Sequence, residues 1–225
     1  MNLNEQYKQA RLDAVDGLEL TDRTYNMAIG LVVLWGLGIT YVICRLMTGL
    51  IMSMNPILVL VLYFAGSLGG MFIVYHSPSA AVSFAGFTIL ACVMGLLLTY
   101  YLTLYDDDTI LQSVRITAVT TCIMLILALI RPGFFLGLWR TLFTSLGVCV
   151  LAEIVFGLLF RRALVWMDWV VALIFCGYIG FDWARAQSYP RTLDNAVDSA
   201  ADIYVDIINL FIRILEITGR NKSKD

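Results

Sequence analysis

Seven apolar runs, parted only by short polar breaks, fill almost the whole of this chain. A helix needs ~20 mostly apolar residues to cross the hydrocarbon core of a bilayer. The runs fall at about 25–47, 54–75, 79–104, 109–130, 136–160, 164–183 and 199–218. Asn55-Pro56, Ser77-Pro78, Asp106-Asp107-Asp108, Arg131-Pro132-Gly133, Arg161-Arg162 and Ser188-Tyr189-Pro190-Arg191 separate them, and most of these are turn chemistry. The runs are continuous rather than alternating, which predicts helices and not a barrel. Short connections predict sequential antiparallel packing into one compact bundle. The expected fold is therefore an all-α integral membrane protein with seven transmembrane helices. It has a polar segment at 1–24, a membrane domain at 25–219 and a polar tail at 220–225.

Composition agrees. The chain is 60% hydrophobic and 14% charged, with a mean hydropathy of +0.82, far from the average of soluble domains. A net charge of −2 and the absence of a basic patch give no reason to expect nucleic acid. No secretory leader precedes the first run, so that run is expected to direct insertion. Cys44, Cys92, Cys122, Cys149 and Cys176 lie inside apolar runs without CxxC or Cys/His spacing. They read as buried small hydrophobes, not as disulfides or zinc ligands. Gly66 and Gly70 have the spacing of a close helix contact, more often within one chain than between two. Charge does not orient the chain. Lys8, Arg11, Arg23, Arg131, Arg185 and Arg191 fall on one side, and Arg45, Arg161, Arg162, Arg220, Lys222 and Lys224 on the other. That tie leaves the positive-inside rule undecided.

The informative residues are acids at membrane depth. Such groups are costly in lipid and usually face a protein interior or a water-filled path. Asp182 closes the sixth run, and Asp194, Asp198, Asp202 and Asp206 recur every fourth residue into the seventh. At 100° per residue, Asp198, Asp202, Asp206, Asn209, Arg213 and Glu216 share an arc of about 80°. The other faces are apolar. A helix inside a bundle, lining a wet path, has this pattern. An amphipathic helix lying on the bilayer also has one polar stripe, but favours Lys and Arg there. Asp194 and Asp198, near the helix start, are expected to be solvated and to favour the helix dipole.

The segment AADIYVDIINLFIRILEITGR resembles the final helix of the Bax inhibitor-1-like family through Tyr204, Asp206, Asn209, Leu210, Phe211 and Gly219. ALIFCGYIGFDWARAQ is similar to the family's sixth span, with Asp182 in the place of its aspartate and Phe181 replacing a tyrosine. LTDRTYNMAIGLVVLWGLGITYVI, and MGLLLTYYLTLY followed by SVRITAVTTCIMLILALI, extend the resemblance over nearly the whole chain after the polar N-terminus. Asp202 stands where the family usually has an apolar residue. The resemblance implies a seven-helix bundle with the last helix central and a cytosolic N-terminus. It implies a pH-sensitive calcium leak in which Asp182 and Asp206 share a proton, in a membrane expected to be the bacterial plasma membrane.

The chemistry of such a pair is simple. Two carboxylates close together in a low dielectric titrate as a coupled unit. One shared proton staples the sixth and seventh helices, and its loss adds repulsion that parts them. Ca2+ prefers several oxygens, so two carboxylates with carbonyls and water make a weak site from which an ion can leave. Asp182 and Asp206 are thus the expected metal-contacting residues, with Ca2+ as a permeant or weakly bound ion and no tightly bound cofactor. The bland alternative is a structural interhelical hydrogen bond.

His76, Glu153, Asp202 and Arg213 are the further gating or pathway candidates. His76, the lone histidine, either tunes the pair or is merely solvated. Glu153 is either a second pathway acid or the partner of Arg115, Arg140 or Arg213. Asp168 and Arg115 lie near run ends, within reach of the interface. Asp106, Asp107 and Asp108 either gather cations at a mouth or form a solvated turn. Trp35, Trp139, Trp166, Trp169 and Trp183 read as interfacial anchors. No HExxH, nucleophile elbow or phosphate loop is present, and YIGFDW and YVDIIN lack the GxGD of an intramembrane aspartyl protease. An enzyme is not expected. The partners expected are the lipid bilayer, Ca2+ and protons. The different-class alternative is a non-conducting regulator that binds a membrane protease or another membrane protein.

Overall fold

The computed structural model describes residues 19–160 and 165–222. Most of the polar N-terminal segment, Arg161, Arg162 and the last three residues lie outside the described residues, and Lys8, Arg11 and Lys224 with them. The helices, in chain order, are α1 (Asp22–Leu46), α2 (Thr48–Ser53), α3 (Pro56–His76), α4 (Ala80–Leu102) and α5 (Asp107–Ile130). α6 (Pro132–Gly137), α7 (Trp139–Phe160), α8 (Met167–Ala186) and α9 (Leu193–Lys222) follow. Six of them, α1, α3, α4, α5, α7 and α8, are long and apolar enough to cross a membrane.

The predicted seventh span, 199–218, lies inside α9. That helix is 30 residues long, but its acids and arginines keep it out of the count made on apolarity. The break at Arg131-Pro132-Gly133 is itself the start of a short helix, α6, with Pro132 in its first turn, where a missing N–H costs nothing. Helix starts follow the sequence. Thr21 caps α1 by accepting from the Thr24 N–H. Asn55 caps α3 by accepting from the Ile57 N–H at 2.8 Å, ahead of Pro56.

One compact bundle was expected, but the chain divides into two compact units. The first runs to Leu104 and takes up Ser188–Tyr204; the second holds Tyr105–Gln187 and the chain from Val205. In the first unit α3 and α4 form an antiparallel hairpin. Gly66 meets Val93, and a Cβ on Gly70 would lie 2.8 Å from the Gly86 carbonyl oxygen. The Gly66–Gly70 spacing is therefore a contact within the chain. α1 runs parallel to α4, with Gly36 against Phe87, the Thr40 hydroxyl 3.4 Å from the Ala91 carbonyl oxygen and Ile43 against Gly95. Tyr204 completes this core: its hydroxyl is 2.6 Å from that of Thr40 and its ring stands edge-on to Phe87.

In the second unit Leu142 and Cys149 of α7 pack with Met167, Val171, Phe175 and Ile179 of α8 and Leu210 and Ile214 of α9. A smaller cluster joins Ala128, Phe135 and Ala184, where Gly180 leaves room for the Phe135 ring. Outward faces remain apolar, with Leu31, Leu34, Leu68, Phe72, Phe143 and Leu173 exposed. Apolar exposure on this scale would be a liability in water and suits contact with lipid. Cys122, expected to be buried, is on such an exposed face. The other four cysteines are buried or half-buried, and all five are free.

Candidate functional site

The acidic stripe of α9 is turned inward. Asp194, Asp198, Asp202 and Asp206 are 9%, 2%, 7% and 6% exposed. Solvation of Asp194 and Asp198 at the helix start is thus overturned: both are covered, because the neighbouring positions of α9 are buried on nearly every side. A helix lying on the bilayer surface would leave its polar face open.

In the first unit the buried acids meet hydroxyls. Ser83 of α4 donates to Asp194 at 2.8 Å, and Tyr75 near the end of α3 donates to Asp202 at 2.5 Å. Both hydroxyls flank the α3–α4 turn, so these bonds fasten that turn to α9. A hydrogen bond to a charged group contributes about 1.5–3 kcal/mol. Tyr75→Phe is expected to lower stability by about 2 kcal/mol, seen as a lower thermal midpoint in detergent. An unchanged midpoint would show that the bond contributes nothing. His76, the next residue, is exposed. Its Nδ1 is 3.0 Å from the Phe72 carbonyl oxygen and its ring stacks on Phe72, both contacts within α3.

In the second unit Asp182 and Asp206 are both buried, on α8 and α9. Tyr178, half-buried, stands one turn before Asp182 on α8. Arg185 makes an ion pair with Asp182 at 2.8 Å, and its guanidinium sits 5.1 Å from the centre of the Phe181 ring. Asp182 is therefore accompanied by a cation from its own turn of α8. Among the described residues, no group of three or more His, Cys, Asp or Glu side chains is arranged to hold a metal ion.

A second polar cluster in the same unit involves α7, α8 and α9. Of the three arginines considered for Glu153, it is Arg213 that meets it, by two parallel contacts of 2.8 and 2.9 Å. Arg213 also reaches Asp168 at 2.8 Å and Glu216 at 3.4 Å, and Arg220 pairs with Asp168 as well. Asp168, expected within reach of the interface, is instead buried between Arg213 and Arg220, and Arg220 entered only the count of charges, although a signal was there. Asp168 and Asp182 are two heptads apart on α8, and Asp206, Arg213 and Arg220 follow one another at heptad spacing on α9. Seven residues bring a helix back to within about 20° of the same face. Tyr75 and Ser83 left no such trace, because their roles arise only from packing.

Comparison with known proteins places this arrangement. A family model described as inhibitor of apoptosis-promoting Bax1 matches residues 19–223. The chain is 26% identical over 176 residues to the Golgi anti-apoptotic protein of Vaccinia virus (strain Lister), covering 76% of this chain and 72% of that protein. It is 30% identical over 135 residues to Bax inhibitor 1 of Schizosaccharomyces pombe, covering 58% of this chain and 50% of that protein. It is 25% identical over 172 residues to an uncharacterized membrane protein of Streptococcus pyogenes serotype M1, covering 71% of this chain and 75% of that one. With a match that runs from the start of α1 to the end of α9, this integral membrane protein belongs to the Bax inhibitor-1 family.

Proposed function

We propose that the chain is a pH-sensitive calcium leak of the membrane, with Asp182 and Asp206 as its gate and weak ion site. In this reading α9 is a seventh, central span, and the N-terminus is cytosolic, in a bacterial plasma membrane. The observation that carries it is the burial of both carboxylates in one unit, on two helices whose apolar side chains share a core. A proton held between them lets α8 and α9 stay together. Its loss as pH rises leaves two like charges in a low dielectric, and the helices part. The freed oxygens then offer a passing Ca2+ a site too poor to retain it. Arg185 refines this gate by supplying one positive charge beside Asp182.

The test is Ca2+ entry into dye-loaded proteoliposomes between about pH 5 and pH 8. Wild-type flux should rise with pH, and the Asp182→Asn/Asp206→Asn protein should lose that dependence. No flux above empty liposomes at any pH would refute the leak. Arg185→Gln should move the rise in flux to higher pH, since a guanidinium favours the ionised carboxylate; a profile that stays in place would remove Arg185 from the gate.

A second reading is favoured by the relatives' names, one an anti-apoptotic protein and another a Bax inhibitor. In it the chain is a non-conducting regulator that binds another membrane protein, such as a membrane protease. Absence of flux, with a membrane protein recovered by crosslinking to the intact chain, would support it.

A further inference from the structure

We infer that Arg213 is a latch that seats α7 against α8 and α9, separate from the Asp182–Asp206 gate. α7 is held by a narrow apolar seam, with Leu146 and Ala152 half-buried beside its two buried side chains. Leu142 and Cys149 are its deeply buried apolar side chains among those described, while Phe143, Val148, Leu151 and Ile154 face outward. Glu153, one turn beyond Cys149, supplies its strong polar attachment, the fork of two contacts to Arg213. The same guanidinium holds Asp168 of α8. One side chain thus ties three helices, and charge-assisted, bidentate pairs of this kind are the strong ones. The cluster also holds three carboxylates, Glu153, Asp168 and Glu216, against two guanidiniums, Arg213 and Arg220. With Arg213 neutralised, the acids repel and α7 is the helix with least to keep it in place. Arg213 is in this sense a positioning residue. Its effect on flux rests on the leak reading, but the seating of α7 does not.

Cys149 is a built-in reporter, buried where α7 meets α8 and α9. Cys44, buried in the first unit, reports general unfolding. The full chain in proteoliposomes would be treated with a small, uncharged, lipid-permeant maleimide, and each cysteine read by peptide mass. Loss of one charge-assisted bond is expected to speed labelling of Cys149 by at least about tenfold in Arg213→Gln, with Cys44 unchanged and Arg213→Lys restoring much of the protection. The variant Glu153→Gln/Asp168→Asn/Arg213→Gln leaves only Glu216 and Arg220 charged, an i,i+4 pair of opposite sign on α9, so it should fold and still show the faster labelling. Wild-type protection of Cys149 in both neutral variants would overturn the latch. So would simultaneous exposure of Cys149 and Cys44 in the triple variant, which would make the cluster a condition for folding alone. In the flux assay Arg213→Gln should raise Ca2+ entry without moving the pH of its rise. A wild type that passes no Ca2+, together with faster Cys149 labelling, would refute the leak and leave the latch standing.

Discussion

Asp168→Leu is expected to cost about 3 kcal/mol of stability, because breaking a buried ion pair leaves its partner charge uncompensated. The Asp168 side chain is only 6% exposed and meets both Arg213 and Arg220. Leucine fills nearly the same space and accepts nothing. Arg213 retains Glu153, but Arg220 loses its carboxylate. Asp168→Asn keeps an acceptor oxygen and should cost clearly less. Thermal unfolding in detergent, read for both variants, checks this. Equal midpoints for Asp168→Leu and wild type would mean that solvent or lipid headgroups already satisfy the arginines. The neutral triple variant leaves Glu216 and Arg220 as an i,i+4 pair of opposite charge on α9, so it should lie closer to wild type than Asp168→Leu.

Gly86→Leu is the second large effect, and it acts through shape. A Cβ there would lie 2.7 Å from the Ile73 Cγ2 and 2.9 Å from the Gly70 carbonyl oxygen. The second contact is with backbone, which no rotamer change can move. α3 and α4 must separate, and overpacking of this kind costs about 1–3 kcal/mol or more. The separation would also pull on Tyr75 and Ser83, which flank the same turn and bond to Asp202 and Asp194. Gly69→Leu is the matched control: nothing lies within 4 Å of its added Cβ, so its cost should stay within about 0.5 kcal/mol. A loss of folded protein for Gly86→Leu but not Gly69→Leu is the expected result. Equal tolerance would contradict the close crossing of α3 and α4.

The spans were legible because lipid imposes one rule, some twenty apolar residues with every backbone group bonded internally. α9 was only half legible for the same reason. Hydropathy stops at Asp198 and at the arginines, whereas the helix continues from Leu193 to Lys222. The inward stripe could be read from the recurrence of aspartate every fourth residue, and Asp182 from its depth. Arg185 stood three residues from Asp182, a helical neighbour, but reads as a loop charge when the span is ended at 183. Tyr75 and Ser83 were out of reach: an isolated Tyr or Ser in an apolar run carries no mark of the acid it will face. Glu153 offered three arginines at similar plausibility, and only the packing of α7, α8 and α9 selects Arg213.

The proposed sharing of a proton between Asp182 and Asp206 is read by infrared difference spectroscopy of the full chain in lipid. Titration between about pH 5 and pH 8 should remove the carbonyl stretch of one protonated carboxyl group in the wild type. That band should be missing from both Asp182→Asn and Asp206→Asn, since either change dissolves the pair. A titrating band that survives in either single variant, or its absence from the wild type, would contradict the proton-sharing gate.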